Sequence, residues 1–222
     1  MKKIMLFSIT VFMLSVLATC GSDSTGPEPQ SENWMPLSVG NSWNSTIEGY
    51  SIDPAGPDTF DLSGSVERTV TALLDHQGGF QVYEFEMLTE MTFTNPDTSY
   101  AVAESLYIYL RNTGDEMREY QDTVSTDYLI IALFPLTLNE TWPASPVSST
   151  IYEVISLNGS VTVPAGSFAN CGIIRETDLN TPDFLCDRYF HRDLGIVRDS
   201  LVHGELQEII FDLESFNVLY DP

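Results

Sequence analysis

From residue 34 onward, apolar and polar side chains alternate with a period of two, in runs rich in Val, Ile, Thr, Tyr and Phe separated by clusters of Gly, Pro, Asn and Asp. Such alternation turns one face of an extended chain toward a core and the other toward water, so it predicts strands. The runs place strands near residues 42–52, 58–74, 79–94, 98–111, 115–125, 149–163, 168–178, 184–191, 195–203 and 206–218. Turn residues fall between them at Asp75 to Gly79, Asn95-Pro96-Asp97, Asn112-Thr113-Gly114, Asn158-Gly159, Pro164-Ala165-Gly166 and Asn180 to Asp183. Each supplies side chains that tolerate positive φ or preset a turn. No segment carries a sustained 3.6-residue apolar stripe with caps; the nearest is Thr126 to Phe134, where Asp127 could start one or two helical turns through Leu129, Ile130 and Leu133.

Short successive connections make neighbouring strands antiparallel, and strands of this length expose their edges unless the sheet curls. The expected fold is therefore all-β: a curved antiparallel sheet of about ten strands, as a half-barrel, barrel or sandwich, with little helix. Two segments match at an offset of 99 residues, Pro36-Leu37-Ser38-Val39-Gly40-Asn41-Ser42-Trp43 and Pro135-Leu136-Thr137-Leu138-Asn139-Glu140-Thr141-Trp142. Both read Pro-Leu-x-apolar-x-x-hydroxyl-Trp. The functional reading is a duplicated ligand platform on two tryptophans; the structural one, which we prefer, is a turn leading into a strand with Trp as a core plug in each of two related halves.

The first 33 residues follow other rules. Met1-Lys2-Lys3 is a charged start, and Ile4 to Leu17 is an apolar stretch interrupted only by Ser8, Thr10 and Ser15, too short to be a convincing membrane span. Leu17-Ala18-Thr19-Cys20 resembles the bacterial lipobox, with Thr19 departing from the usual Gly, Ala or Ser. The resemblance implies a signal peptide over 1–19 and a diacylglycerol-modified Cys20 as the new amino terminus. Two or more acyl chains, at about 0.8 kcal/mol per buried methylene, give stable anchoring. Residues 21–33 contain no large apolar side chain and read as a flexible tether with roughly 20 Å of reach, ahead of a single β domain over 34–222. By analogy with sorting in Gram-negative bacteria, Gly21 after the anchor cysteine points to the outer membrane.

Composition narrows the function. Hydrophobic content of 43%, with 12 Phe and 10 Tyr, is enough apolar surface to offset chain entropy, which argues for a folded domain. Nine basic residues face 32 acidic ones, and Lys2 and Lys3 leave with the signal, so the mature chain has no lysine. That field repels phosphates, and no basic stripe overrides it, which argues against a nucleic-acid partner.

No constellation for chemistry stands out. The EF-hand loop, H-x-x-x-H, C-x-x-C and G-x-S-x-G are missing, so neither a metal nor a cofactor is implied. His191-Arg192-Asp193-Leu194 imitates a kinase catalytic loop, but Arg198 stands where its Asn belongs and the strand lysine is absent. His76, beside Asp75 and before Gln77-Gly78-Gly79, reads as a turn residue, and His203 lies in another strand. With Cys20 lipidated, Cys171 and Cys186 remain as a candidate disulfide. Simple hairpin pairing sets Cys171 opposite a residue near 192, so the bridge needs a shifted register; the alternative is two buried thiols acting as small hydrophobes. A bridge would close about fifteen residues and contribute about 3 kcal/mol.

Pro36 to Trp43, the phrase Val161-Thr162-Val163-Pro164-Ala165-Gly166-Ser167-Phe168-Ala169-Asn170-Cys171 and the late Asp193-Leu194-Gly195-Ile196-Val197 resemble signatures of uncharacterised bacterial exported lipoproteins with periplasmic β domains. His191-Arg192-Asp193-Leu194 departs from the usual Ala-Pro-Gly-Val before the late glycine. The resemblance implies a curved antiparallel fold and supplies no activity. The expected function is a non-enzymatic envelope lipoprotein. In the first reading, aromatics of Phe80 to Phe85 and Tyr107 to Leu110 line a concave face that holds a hydrophobic ligand or an envelope partner. In the second, the protein is a scaffold with no cavity, and an uncharacterised hydrolase ranks third. Replacing Cys20 with Ala is expected to move the protein from the membrane pellet to the soluble fraction; unchanged membrane attachment would refute the anchor.

Overall fold

The computed structural model describes residues 34–53, 56 and 58–219, so the expected signal peptide, the expected lipidation site Cys20 and the expected tether lie outside the described residues. Twelve strands form one antiparallel sheet, and the described residues contain no helix. The strands are β1 (Ser42–Ile52), β2 (Thr59–Asp75), β3 (Gln81–Asn95), β4 (Thr98–Asn112), β5 (Glu116–Tyr120), β6 (Leu129–Leu133), β7 (Thr141–Pro143), β8 (Thr150–Val163), β9 (Gly166–Asp178), β10 (Thr181–His191), β11 (Gly195–His203) and β12 (Gln207–Asn217). Their order in the sheet is β6-β5-β4-β3-β2-β1-β12-β11-β10-β9-β8-β7. Two six-stranded meanders, β1–β6 and β7–β12, are thus joined where β1 pairs β12. The sheet curls into a nearly closed barrel, and its free ends meet where the Ile130 amide donates to the Ala144 carbonyl at 2.8 Å.

Ten of the strands coincide with those expected, and the two additional ones are the short β6 and β7. Leu129, Ile130 and Leu133, expected in a helical turn, lie in β6. An extended segment gains ladder bonds to β5 and lets Ala132 and Phe134 reach the core, which outweighs a weak local preference for a helix. Asn158 and Gly159, expected at a turn, sit inside β8 where the register with β9 slips repeatedly. A side chain at Gly159 would collide with Ile173, so this glycine permits a close strand approach within a bulged strand.

The duplicated phrase is a duplicated structure. In the first copy the Gly40 amide donates to Val70 O at 2.8 Å and the Val70 amide to Asn41 O at 2.9 Å. In the second, Asn139 N donates to Val154 O at 2.8 Å and Val154 N to Glu140 O at 3.0 Å. Gly40 and Asn139 hold the same place with φ of 95° and 64°, left-handed values that glycine and asparagine reach at least cost. Each turn delivers a tryptophan into the core, and each indole N–H finds a carbonyl: Trp43 donates to Leu194 at 2.6 Å and Trp142 to Ile130 at 2.9 Å.

One end of the barrel is plugged. Trp34, Met35, Leu37, Phe134 and Leu136 pack into the same core cluster as Trp43, Phe190, Leu194 and Leu213. Gly172 on β9 makes room for them, since a Cβ there would lie 2.4 Å from the Leu136 side chain. The fully buried Asn41 ties the segments before β1 and after β12 to this plug: its amide donates to Pro36 O at 3.0 Å, and the Leu219 amide donates to its Oδ1 at 2.7 Å. Trp43→Phe and Trp142→Phe keep most of the packing but strand a buried carbonyl. Each is expected to cost about 1–3 kcal/mol, read as a lower urea midpoint with unchanged slope.

Candidate functional site

The inner faces of the strands carry a band of charge through the apolar core. Residues opposite each other in an antiparallel ladder share a face, so the pairs Arg188↔Asp199, Ile174↔Arg188 and Tyr152↔Glu176 line up on the interior side of β8 to β11. The Arg68 guanidinium of β2 reaches across to Asp199 at 3.0 Å and to Ser45 Oγ at 3.3 Å. Arg188 Nε donates to the other Asp199 oxygen at 2.9 Å, and Glu176 lies 4.0 Å from Arg188. Arg68 and Asp199 are buried; Arg188 and Glu176 keep about a quarter of their side-chain surface. Buried charges persist only when paired and hydrogen-bonded, and Asp199, with one arginine on each oxygen, meets that demand.

Glu119 of β5 completes the band from the opposite wall. Burial, helped by Glu176 and opposed by Arg188, pushes its carboxyl from 4.5 up to about 7. Burial also raises Glu176, against the pull of Arg188. Tyr152 is pushed well above the ordinary phenol range by burial and the nearby carboxylates. The chemical content is an interior polar layer in which one carboxyl is held near neutrality, a feature that binding and catalytic sites share with structural networks.

Access decides between those roles. Two hollows among the described residues are shallow: one of about 390 Å³ along Gly64, Ser65, Glu90, Met91, Thr92, Ala101, Val102 and Ala103, the other of about 200 Å³ on the β8–β9 hairpin. Neither is lined by Glu119, Glu176, Arg188, Arg68 or Asp199. The band lies between the apolar plug and a second apolar cluster of Ile47, Leu62, Val66, Met91 and Ile209, away from both hollows and with Arg188 and Glu176 still partly exposed. Sequence reading missed it because its members are scattered over six strands, and only alternation parity, computed strand by strand, could have shown that all face inward.

The aromatic runs expected to line a concave face divide among three places. Val82, Phe85 and Leu110 are buried, and Tyr83 and Ile108 pack against the core cluster. Tyr107 is exposed and donates to Glu86 at 2.5 Å. Phe80 joins a cluster with His76, its ring stacked 4.3 Å from the imidazole, alongside Tyr120 and Tyr128, with Arg111 over Phe80 and Arg118 over Tyr128. His76 is more than a turn residue. Its Nδ1 accepts from the Gly78 amide at 3.0 Å, which leaves Nε2–H to donate to Ser125 O at 2.9 Å, so it holds the loop after β5 against the β2–β3 turn.

The remaining residues singled out in the sequence are dispersed. His191 ends β10 and His203 ends β11, at opposite ends of one strand pair. His191 to Leu194 forms a tight turn with Asp193 at φ 63°, and its buried Leu194 accepts the Trp43 bond. Cys171 and Cys186 are free, buried thiols, and the candidate disulfide is not formed. Gly172 pairs Phe190 while Glu176 pairs Cys186, so the two cysteines sit about five residues, roughly 16 Å, apart along the hairpin, far beyond bridging distance. Among the described residues no group of three or more His, Cys, Asp or Glu is placed to hold a metal.

No protein-family model matches the chain, and no curated protein matches it. Two solved structures are similar. One is a candidate lipoprotein from Parabacteroides distasonis ATCC 8503, 14% identical over 83% of this chain and 98% of that one, with a TM-score of 0.43. The other is a candidate exported protein with a YmcC-like fold from Bacteroides fragilis NCTC 9343, 12% identical over 82% and 97%, with a TM-score of 0.32.

The raised Glu119 carboxyl makes a signed prediction. Between the usual 4.5 and about 7 the folded protein holds a proton that the unfolded chain has lost, so stability falls as pH rises through that window. Urea midpoints should be higher at pH 5 than at pH 8, and Glu119→Gln should abolish most of that difference. Arg68→Met leaves Asp199 with one arginine and is expected to cost about 3–5 kcal/mol, measured the same way.

Proposed function

We propose that this chain is an exported envelope lipoprotein, held at the membrane through acylated Cys20, whose barrel works by contact with an envelope partner and not by enclosing a small ligand. The observation that carries this reading is the filled interior. A plug of aromatic side chains, a salt-bridged layer and a second apolar cluster occupy the space that a ligand carrier would keep open. A drug-sized or lipid ligand needs an enclosed, mostly apolar pocket of several hundred Å³, and the two hollows described above are shallow surface grooves. The signal-like start, the lipobox-like Leu17 to Cys20 and the polar tether support export and anchoring, with Gly21 favouring the outer membrane in a Gram-negative source.

The acidic exterior supports partner contact over nucleic-acid contact, since seven arginines face 32 acids once the signal is gone. Catalysis ranks lower because the one carboxyl held near neutrality lies away from both grooves. Native mass spectrometry of the full chain extracted from envelope membranes tests the choice. The expected result is the lipidated polypeptide mass alone. A reproducible excess mass of a bound small molecule would overturn the partner reading in favour of a ligand carrier.

A further inference from the structure

The barrel removes most strand edges, but among the described residues two stretches stay open: β8 beyond Val154, where the register with β9 slips repeatedly, and the longer, regular edge of β4. β5 pairs β4 only through Tyr109, Leu110, Arg111 and Asn112, so on that side Thr98–Ile108 has no neighbouring strand among the described residues. At about 3.3 Å per residue this is roughly 35 Å of unpaired backbone donors and acceptors. The pairing of β4 with β3 runs from Tyr83↔Leu110 to Asn95↔Thr98 without a bulge. Proteins usually blunt such an edge with lysine, proline, a bulge or a covering loop. This stretch, Thr-Ser-Tyr-Ala-Val-Ala-Glu-Ser-Leu-Tyr-Ile, has no lysine or proline and a single charge, Glu104, and nearly all of it is exposed.

From this geometry we infer that the β4 edge accepts an extended segment of a partner protein by strand addition, and that the segment alternates apolar and basic side chains. The inference rests on the partner-contact reading above and names its mode. The two faces of the edge set the alternation. Inward, Tyr100 stacks on Phe93 at 4.9 Å and Leu106 is 44% exposed, so an added strand gains apolar contact on that side. Outward, Ser99, Ala101, Ala103 and Ser105 are small and exposed, and beyond Ala103 the carboxylate of Glu90 stands on the outer face of β3, while Glu86 lies opposite Tyr107 and accepts its hydroxyl. A neighbouring strand lies about 4.8 Å from β4 and about 10 Å from β3. A long basic side chain crossing those small residues reaches Glu90, and the groove of about 390 Å³ beside Glu90, Ala101 and Ala103 lies on that path. A second copy of this chain brings no lysine among its described residues and a strongly acidic surface to the same edge, so charge favours a basic partner.

The inference is tested by hydrogen exchange and mass spectrometry on the full chain in detergent micelles, titrated with a short capped peptide of alternating lysine and valine and, separately, its glutamate–valine counterpart. The lysine–valine peptide should slow exchange within Thr98–Ile108 about tenfold at saturation, with the effect weakening as salt is raised. Glu90→Lys, which leaves the backbone untouched, should weaken that protection several-fold. Adjacent residues on an edge strand direct their amides to opposite sides, so one of Ala101→Pro and Val102→Pro removes only an open-edge donor. That variant should stay folded by circular dichroism and lose the protection. Absence of protection, or equal protection by both peptides, overturns the inference. Protection that needs no peptide and grows with protein concentration also overturns it, by assigning the edge to a second copy. Either failure leaves the partner-contact reading standing, because that reading falls only if a bound small molecule appears in the native mass.

Discussion

The barrel depends on Asp199 being held by two arginines from different walls. Arg188 is its neighbour across β10 and β11 in the second meander, whereas Arg68 comes from β2 in the first. Among the described residues the two meanders share backbone bonds along β1/β12 with the adjoining Ile52–Leu206 bond, and at the closing bond between Ile130 and Ala144. The ion pair therefore links the halves through the interior, where a mispaired charge is penalised most heavily. Apolar packing alone would tolerate sliding of one curved wall over the other. A buried guanidinium whose partner oxygen sits at 3.0 Å does not.

That constraint explains why the interior is layered. Charge occupies the middle, so apolar side chains must close both sides: the tryptophan-led plug at one end and the Ile47, Leu62, Val66, Met91 and Ile209 cluster at the other. The duplicated Pro-Leu-to-Trp phrase builds the first of these. Its two turns use a left-handed residue to reverse the chain, then bury an indole whose N–H is spoken for, so a large side chain enters the core without an unsatisfied donor. The raised Glu119 carboxyl is the residual cost of the arrangement, since it faces the band with only a share of Arg188.

Closure and openness are two sides of one topology. Short β5, β6 and β7 bring the free ends of the sheet together, but because β5 is short it leaves most of long β4 without a neighbour. The protein that fills its own interior thus keeps its unused hydrogen-bonding capacity on an edge. The proposed function by contact rests on that distribution.

The sequence by itself determined strand positions, the antiparallel order of neighbours and the existence of two related halves, because period-two alternation, turn residues and an internal repeat are local signals. It also carried the expectations for the amino terminus, which need only contiguous residues. The tertiary structure decided that Leu129–Leu133 is a strand, that Asn158 and Gly159 form a bulge, and that Cys171 and Cys186 lie too far apart to pair. It also decided that Arg68, Glu119, Glu176, Arg188 and Asp199 converge. Those outcomes depend on register and on which strands meet across the barrel. Both are set by long-range packing, in which a shift of one residue turns every side chain to the opposite face.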